Sequence, residues 1–152
     1  MGTRRKSGKQ SGQAIVETAL MMPWLAFLFV GVLDFGFYSY AAISIQNAAR
    51  AAALRSAASQ YSFSSGNSCI AALGELRGLP NMVGVTSCAA LPAVVVVTPL
   101  SNPDCADCSV TPAATSVLAT VTYQTIPMIP IPGMVMGQLT MTRTAEARVL
   151  KQ

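Results

Sequence analysis

Histidine is absent from the 152 residues and charge is scarce, with only 11% of positions Asp, Glu, Lys or Arg. Without imidazole there is no Ser-His-Asp or Cys-His nucleophile and no metal site built on histidine. No phosphate-binding loop, titratable cluster or complete metal set is visible, so the sequence points away from an enzyme and toward a chain with no cofactor. So little charge beside 52% hydrophobic residues is too apolar for an ordinary soluble domain of this length unless one segment sits in lipid. The formal charge of +4 rests on Arg4, Arg5, Lys6 and Lys9, all ahead of the first apolar run, and removing those four charges leaves zero. A nucleic-acid binder would keep its cations on the folded domain, so no nucleic-acid partner is expected. The basic tail is instead a topology signal that holds the amino terminus in the cytoplasm.

What is present falls into three parts. Residues 1–12 (MGTRRKSGKQSG) are polar, basic and without apolar periodicity, and read as a leader. Residues 14–33 (AIVETALMMPWLAFLFVGVL) carry one charge, Glu17, over twenty positions, which matches a single bilayer crossing. Residues 35–59 are rich in alanine and free of proline, so the helix is expected to continue into water. The whole of 13–59 would then be about 70 Å long at 1.5 Å per residue. Ala41, Ile45, Ala48 and Ala52 form one stripe at helical spacing that needs a partner. Pro23 interrupts the hydrogen bonding of the lipid-embedded part and should bend or loosen it.

Residues 60–152 are expected to form an exported domain, giving an α+β chain overall: a long transmembrane helix extending outward, then a small antiparallel sheet. Residues 62–67 (SFSSGN) read as a loop and 69–77 as a short helix before the turn signal Gly78-Leu79-Pro80. Val94 to Val97 is a β-branched run between prolines. Residues 116–124 alternate, with Val117, Ala119, Val121 and Tyr123 on one side, and residues 139–149 alternate with a polar face from Thr140 to Arg148. These two should pair antiparallel. Between them 126–137 (IPMIPIPGMVMG) is apolar but broken by three prolines, and is expected against the membrane surface or another subunit.

The four cysteines, Cys69, Cys88, Cys105 and Cys108, all follow the apolar span, on the side of the membrane where disulfides persist. Two bridges in any of three connectivities are open. Cys105-Ala-Asp-Cys108 also has the spacing of a redox pair or half a zinc site. A second such pair is missing and no βαβ pattern surrounds it, so a structural disulfide is the reading and no metal is expected.

The informative constellation is Gly12, Gln13 and Glu17. A basic leader ends in a small residue, the next residue opens a long apolar helix, and an acid stands fifth after the glycine, inside the part that should enter lipid. A carboxylate at the centre of a bilayer is unfavourable by roughly 2.5–3.5 kcal/mol on insertion scales, and such acids usually have a partner. Cleavage after Gly12 would create one, the α-amine of Gln13, four residues from Glu17 on the same helical face. Two plainer readings remain: a signal anchor in which Gly12 is only a linker, and a secretory signal cut near Ala42 or Ile43.

The segment GQAIVE resembles the processing site of type IV prepilins, which a membrane prepilin peptidase cuts after the glycine and which carry glutamate at the fifth mature position. More narrowly, residues 12–53 resemble the amino-terminal segment of TadE-like proteins, minor pseudopilins of tight-adherence (Tad, or Flp) pili. The shared features are the GQA-hydrophobic-E start, Pro23 in the first third of the span, Asp34-Phe35-Gly36, and Asn47-Ala48-Ala49-Arg50. The resemblance implies assembly or initiation of a pilus as the function. Its partners would be the prepilin peptidase, other pilins or pseudopilins, the inner-membrane assembly platform and the lipid bilayer. It also implies a single-pass inner-membrane chain with its carboxy-terminal domain in the periplasm, or carried into the extracellular pilus. Pro23, Asp34 and Arg50 become candidates for helix packing or partner contact. For Asp34 two readings stand, a solvated residue at the outer lipid boundary or a partner for Arg50 or Arg55 of an adjacent subunit. The competing overall reading is an unprocessed membrane-anchored envelope protein with a β-rich binding domain.

Overall fold

A computed structural model describes residues 11–58, 65–100, 116–126 and 138–149. The chain divides into two units, Met1–Tyr38 and Ser39–Gln152, with helix α1 (Ser11–Ala57) contributing to both.

In the first unit α1 turns an apolar surface to its surroundings: Ile15, Leu20, Trp24, Leu25, Phe29 and Val32 are all at least 60% exposed. In water such a surface is unfavourable at about 25 cal/mol per Å², so this stretch calls for lipid or other helices around it. By length and composition it can cross a membrane. Pro23 lies inside the helix, where its missing N–H leaves the carbonyl of Ala19 without its intrahelical donor. Near the helix start the Thr18 hydroxyl donates back to the carbonyl of Ala14 at 2.9 Å.

The second unit is α+β. After α1 come α2 (Ser65–Leu76), a 3-10 turn (Pro80–Met82), and four strands: β1 (Ala89–Ala90), β2 (Ala93–Leu100), β3 (Ser116–Gln124) and β4 (Thr140–Arg148). The strands form one antiparallel sheet in the order β1-β2-β3-β4. Alternation in β3 decides which face is buried: Val117, Ala119, Val121 and Tyr123 are fully buried, while Leu118, Thr120, Thr122 and Gln124 are half-buried. The polar positions of β4 expected from the sequence, Thr140, Thr142, Thr144, Glu146 and Arg148, are exposed. Thr122 and Thr142, opposite each other in the register, bring their hydroxyl oxygens to 3.1 Å.

The alanine stripe finds its partner in this same core. Ala41, Ile45, Ala48 and Ala52 have no exposed surface, and they belong to one cluster with Leu73 and Leu76 of α2 and with Ala119, Val121 and Tyr123 of β3. Small side chains let a helix backbone approach closely, so the site has little room for a longer one. Ala48→Leu is therefore expected to destabilise the second unit by about 1–3 kcal/mol through overpacking. Thermal unfolding followed by circular dichroism checks it, and an unchanged midpoint would show that the stripe is loosely packed.

Two local readings are corrected. The stretch 62–67, expected as a loop, is helical from Ser65, so Ser65, Gly66 and Asn67 form the first turn of α2. Tertiary contact overrides composition here: the buried hydroxyls of Ser68 and Ser56 hydrogen-bond to each other, and Ser56 also donates to the carbonyl of Ala52 at 3.0 Å. The strand expected between prolines runs through Pro99 to Leu100. The ladder explains why. Gln124 N–H donates to the carbonyl of Pro92, and Val95 N–H donates to that of Cys88 on the other side. Odd-numbered residues of β2 thus direct their backbone groups away from β3, and the donor that Pro99 lacks would have pointed off the edge. Strand β1, two residues long, had no periodicity to announce it.

Candidate functional site

The residues singled out for function stand on α1. Gly12, Gln13 and Glu17 occupy its first turns and are all exposed. A Cβ added at Gly12 would meet nothing within 4 Å, so the glycine is not there for packing within the described structure. Gln13 and Glu17 lie one helical turn apart on the same side, and the Gln13 amide Nε2 reaches Glu17 Oε1 at 3.4 Å. That contact is long for a hydrogen bond, but it establishes that a donor carried by residue 13 faces the carboxylate. If the Gly12–Gln13 peptide bond is cut, the backbone nitrogen of Gln13 becomes an ammonium at the start of the helix. Its charge then favours the nearby carboxylate as the helix dipole does.

Further along, Pro23 lines a shallow, open apolar notch with Trp24 and Phe27. Asp34 is half-buried, and its Oδ2 is shielded from solvent with no hydrogen-bond partner among the described residues. Arg50, in the second unit, is exposed on the side of α1 away from the buried stripe.

Cys69 and Cys88 form a disulfide, with an S–S distance of 2.01 Å and Cα atoms 5.7 Å apart, which ties α2 to the residues just before β1. Cys105 and Cys108 fall outside the described residues, as does the proline-rich segment from 127 to 137.

A polar tie that the sequence did not announce closes the end of β3. The buried Tyr123 hydroxyl donates to Asn81 Oδ1 at 2.5 Å, and Asn81 Nδ2 donates to the carbonyl of Gln124 at 2.5 Å. Thr125 and Leu139 follow with a pair of bonds: Thr125 N–H to the Leu139 carbonyl at 2.8 Å, and Leu139 N–H to Thr125 Oγ1 at 3.0 Å. The turn signal Gly78-Leu79-Pro80 hinted at a bend but not at the asparagine that follows it. Burial raises the Tyr123 phenol above its ordinary pKa of 10.0. Since the folded state prefers the neutral phenol, this contribution is complete below pH 10 and is lost as the pH climbs through the raised value. Unfolding midpoints measured from pH 8 to 11 should therefore fall at the alkaline end. In Tyr123→Phe that fall should shrink, at the expense of about 1 kcal/mol for the lost hydrogen bond.

Residues 12–54 match the sequence profile of a family described as TadE-like protein. No curated protein and no solved structure matches the chain. The matched stretch begins at Gly12 and ends at Leu54, so it takes in the apolar part of α1, Asp34 and Arg50, and stops short of α2 and the sheet.

Proposed function

We propose that this chain, TadE-like over residues 12–54, is a minor pseudopilin that enters a Tad/Flp-type pilus or its initiation complex once a prepilin peptidase has cut after Gly12. The apolar part of α1 holds the subunit in the inner membrane, leader on the cytoplasmic side and sheet domain in the periplasm, until it packs beside other pilin helices on the assembly platform. The observation that carries this reading is the coincidence of two boundaries. The family match begins at the glycine that separates a basic leader from the exposed apolar helix, and Glu17 stands one turn beyond the amine that cleavage would free. Transfer from lipid to a filament is tolerable because the exposed surface exchanges one apolar contact for another, and Glu17 gains a cation either within the chain or from a neighbour.

Mapping the mature amino terminus tests this. Mass spectrometry of the chain expressed with and without a prepilin peptidase should give a form beginning at Gln13 only when the peptidase is present. An intact leader in both cases would favour an unprocessed envelope anchor, and a start near Ala42 would mean release by signal peptidase.

A further inference from the structure

On the reading that the apolar part of α1 sits in the inner membrane, we infer that one end of the second unit is a lipid-contacting foot, with Val83, Leu91, Ile126 and Leu139 resting on the surface of the bilayer that α1 crosses. The starting observation is where exposed aliphatics gather. Scattered singly over a surface they need no explanation. These four are brought together by one hydrogen-bonded joint. Asn81 Nδ2 donates to the Gln124 carbonyl, Gln124 N–H donates to the Pro92 carbonyl, and Thr125 N–H donates to the Leu139 carbonyl. Val83 is two residues from Asn81, Leu91 precedes Pro92, Ile126 follows Thr125, and Leu139 is itself bonded. All four are exposed, Val83 to 87% and Leu91 to 50%.

Val83 is held out by the backbone. Its φ and ψ are −65° and 121°, Gly84 follows at a φ of 80°, and Val85 N–H donates to the Met82 carbonyl at 3.2 Å. These are the features of a type II turn, with the valine at its second position and the glycine supplying the positive φ. A branched aliphatic at such a tip adds nothing to the core of its own unit. Nor does charge interrupt the foot, since residues 78–93 and 122–142 contain no Asp, Glu, Lys or Arg. The far end of β4 differs, with Glu146 and Arg148 exposed there. An uncharged end with aliphatic tips suits the boundary between headgroups and acyl chains, where burial of apolar area and not attraction between charges gives the affinity.

The occupant is the bilayer because the chain itself brings this end to it. The Tyr40 hydroxyl packs against Gly78, three residues before Asn81, so closely that a Cβ there would collide with it. Tyr40 follows Leu33, where the apolar run closes, by seven residues, which is about 10 Å along a helix. The headgroup layer on each side of a bilayer is itself roughly 5–8 Å deep. A tyrosine with half its surface exposed is suited to that layer. From Tyr40 onward α1 and β4 lead away from the foot together, since Gln46 Nε2 comes within 3.5 Å of the Thr144 carbonyl. Tethering so close to the lipid raises the effective concentration of the surface, so contacts too weak to recruit a free domain suffice.

The test uses the full-length chain, co-expressed with a prepilin peptidase and reconstituted in phosphatidylcholine vesicles, on a Trp24→Phe background that removes the one native tryptophan. Val83→Trp and, separately, Leu91→Trp report from the foot, and Thr98→Trp reports from an exposed position of β2 six residues beyond Pro92. With lipids brominated in the upper acyl chain, the foot should be quenched about threefold more than Thr98→Trp, as for groups buried about 5–10 Å into the boundary. Adding phosphatidylglycerol should leave that ratio unchanged. Equal quenching at the foot and at position 98 would overturn the inference. So would quenching that needs phosphatidylglycerol, which would move the contact to Arg77, or blue-shifted emission without quenching that fades as chains are diluted in lipid, which would seat a second copy there. Either foot reporter decides the matter if the other variant fails to fold. Flotation and leader mass are read on the same samples: processed chains that float with the vesicles but are not quenched sink only this inference, whereas quenched chains with an intact leader sink only the proposed function.

Discussion

Glu17→Ala is expected to leave the chain membrane-bound and processed after Gly12, yet to lower its recovery with partner pilins by about tenfold or more. The argument rests on where the acid stands. Glu17 is exposed and is the one charged residue between Gln13 and Leu33, so in the bilayer its charge is tolerated only near the headgroups or beside a cation. When α1 moves from lipid into a packed bundle, an unpaired carboxylate would oppose the transfer and a paired one would favour it. An interaction of only 1.4 kcal/mol between states already gives a factor of ten. Alanine removes both the penalty and the attraction, so insertion should be unharmed and the selective step weakened. Co-purification of tagged chain with co-expressed pilins measures it. Equal recovery of Glu17→Ala and the parent chain would mean that the acid does not take part in assembly.

Cys88→Ser is expected to lower the stability of the second unit by about 3 kcal/mol, a drop in melting temperature of roughly 10–20 °C for a domain of this size. The bond joins positions 19 apart in sequence, and cutting it restores to the unfolded chain the freedom that this loop had lost. The effect should be large because of what the loop contains. Between Cys69 and Cys88 lie most of α2, the 3-10 turn and Asn81, whose two hydrogen bonds hold Tyr123 and the Gln124 carbonyl. Loosening the tether therefore reaches the end of β3 as well as the helix. Thermal unfolding of the purified chain, with and without a reductant, reads the result. Reduction of the parent chain should reproduce most of the loss, whereas a Cys88→Ser chain as stable as its parent would make the bridge incidental.

The parts of this structure that were legible in sequence are those where one physical period dominates. Strand β3 reads residue by residue, because Val117, Ala119, Val121 and Tyr123 all meet the core and their neighbours do not, and a period of two has no other explanation. The stripe Ala41, Ile45, Ala48 and Ala52 reads equally well at the helical period, since those small residues are where the helix is covered. What stayed hidden depends on contacts distant in sequence. Ser65-Gly66-Asn67 has loop composition, whereas the helix that starts there is held by contacts distant in sequence such as the buried hydroxyl pair of Ser56 and Ser68. Pro99 looked like the end of a strand because the sequence does not say which backbone groups face the edge. The choice of Cys88 for Cys69 likewise follows from how α2 and the sheet come together and not from spacing. At the candidate site, the position of Gly12, Gln13 and Glu17 at the start of a long apolar helix was legible because each feature is local. The shielding of Asp34 Oδ2 was not, since burial of a single atom leaves no trace in composition.

The central claim is that cutting the chain supplies the cation that Glu17 needs. A chain made uncleavable by Gly12→Leu keeps Glu17 and the whole of α1 but has an amide in place of the Gln13 ammonium, so it isolates that one charge. Partner recovery from membranes, compared between processed and uncleavable chains at equal abundance, should fall about tenfold on loss of cleavage, with no further fall when Glu17→Ala is added. Uncleavable chains that capture pilins as well as processed ones would contradict it.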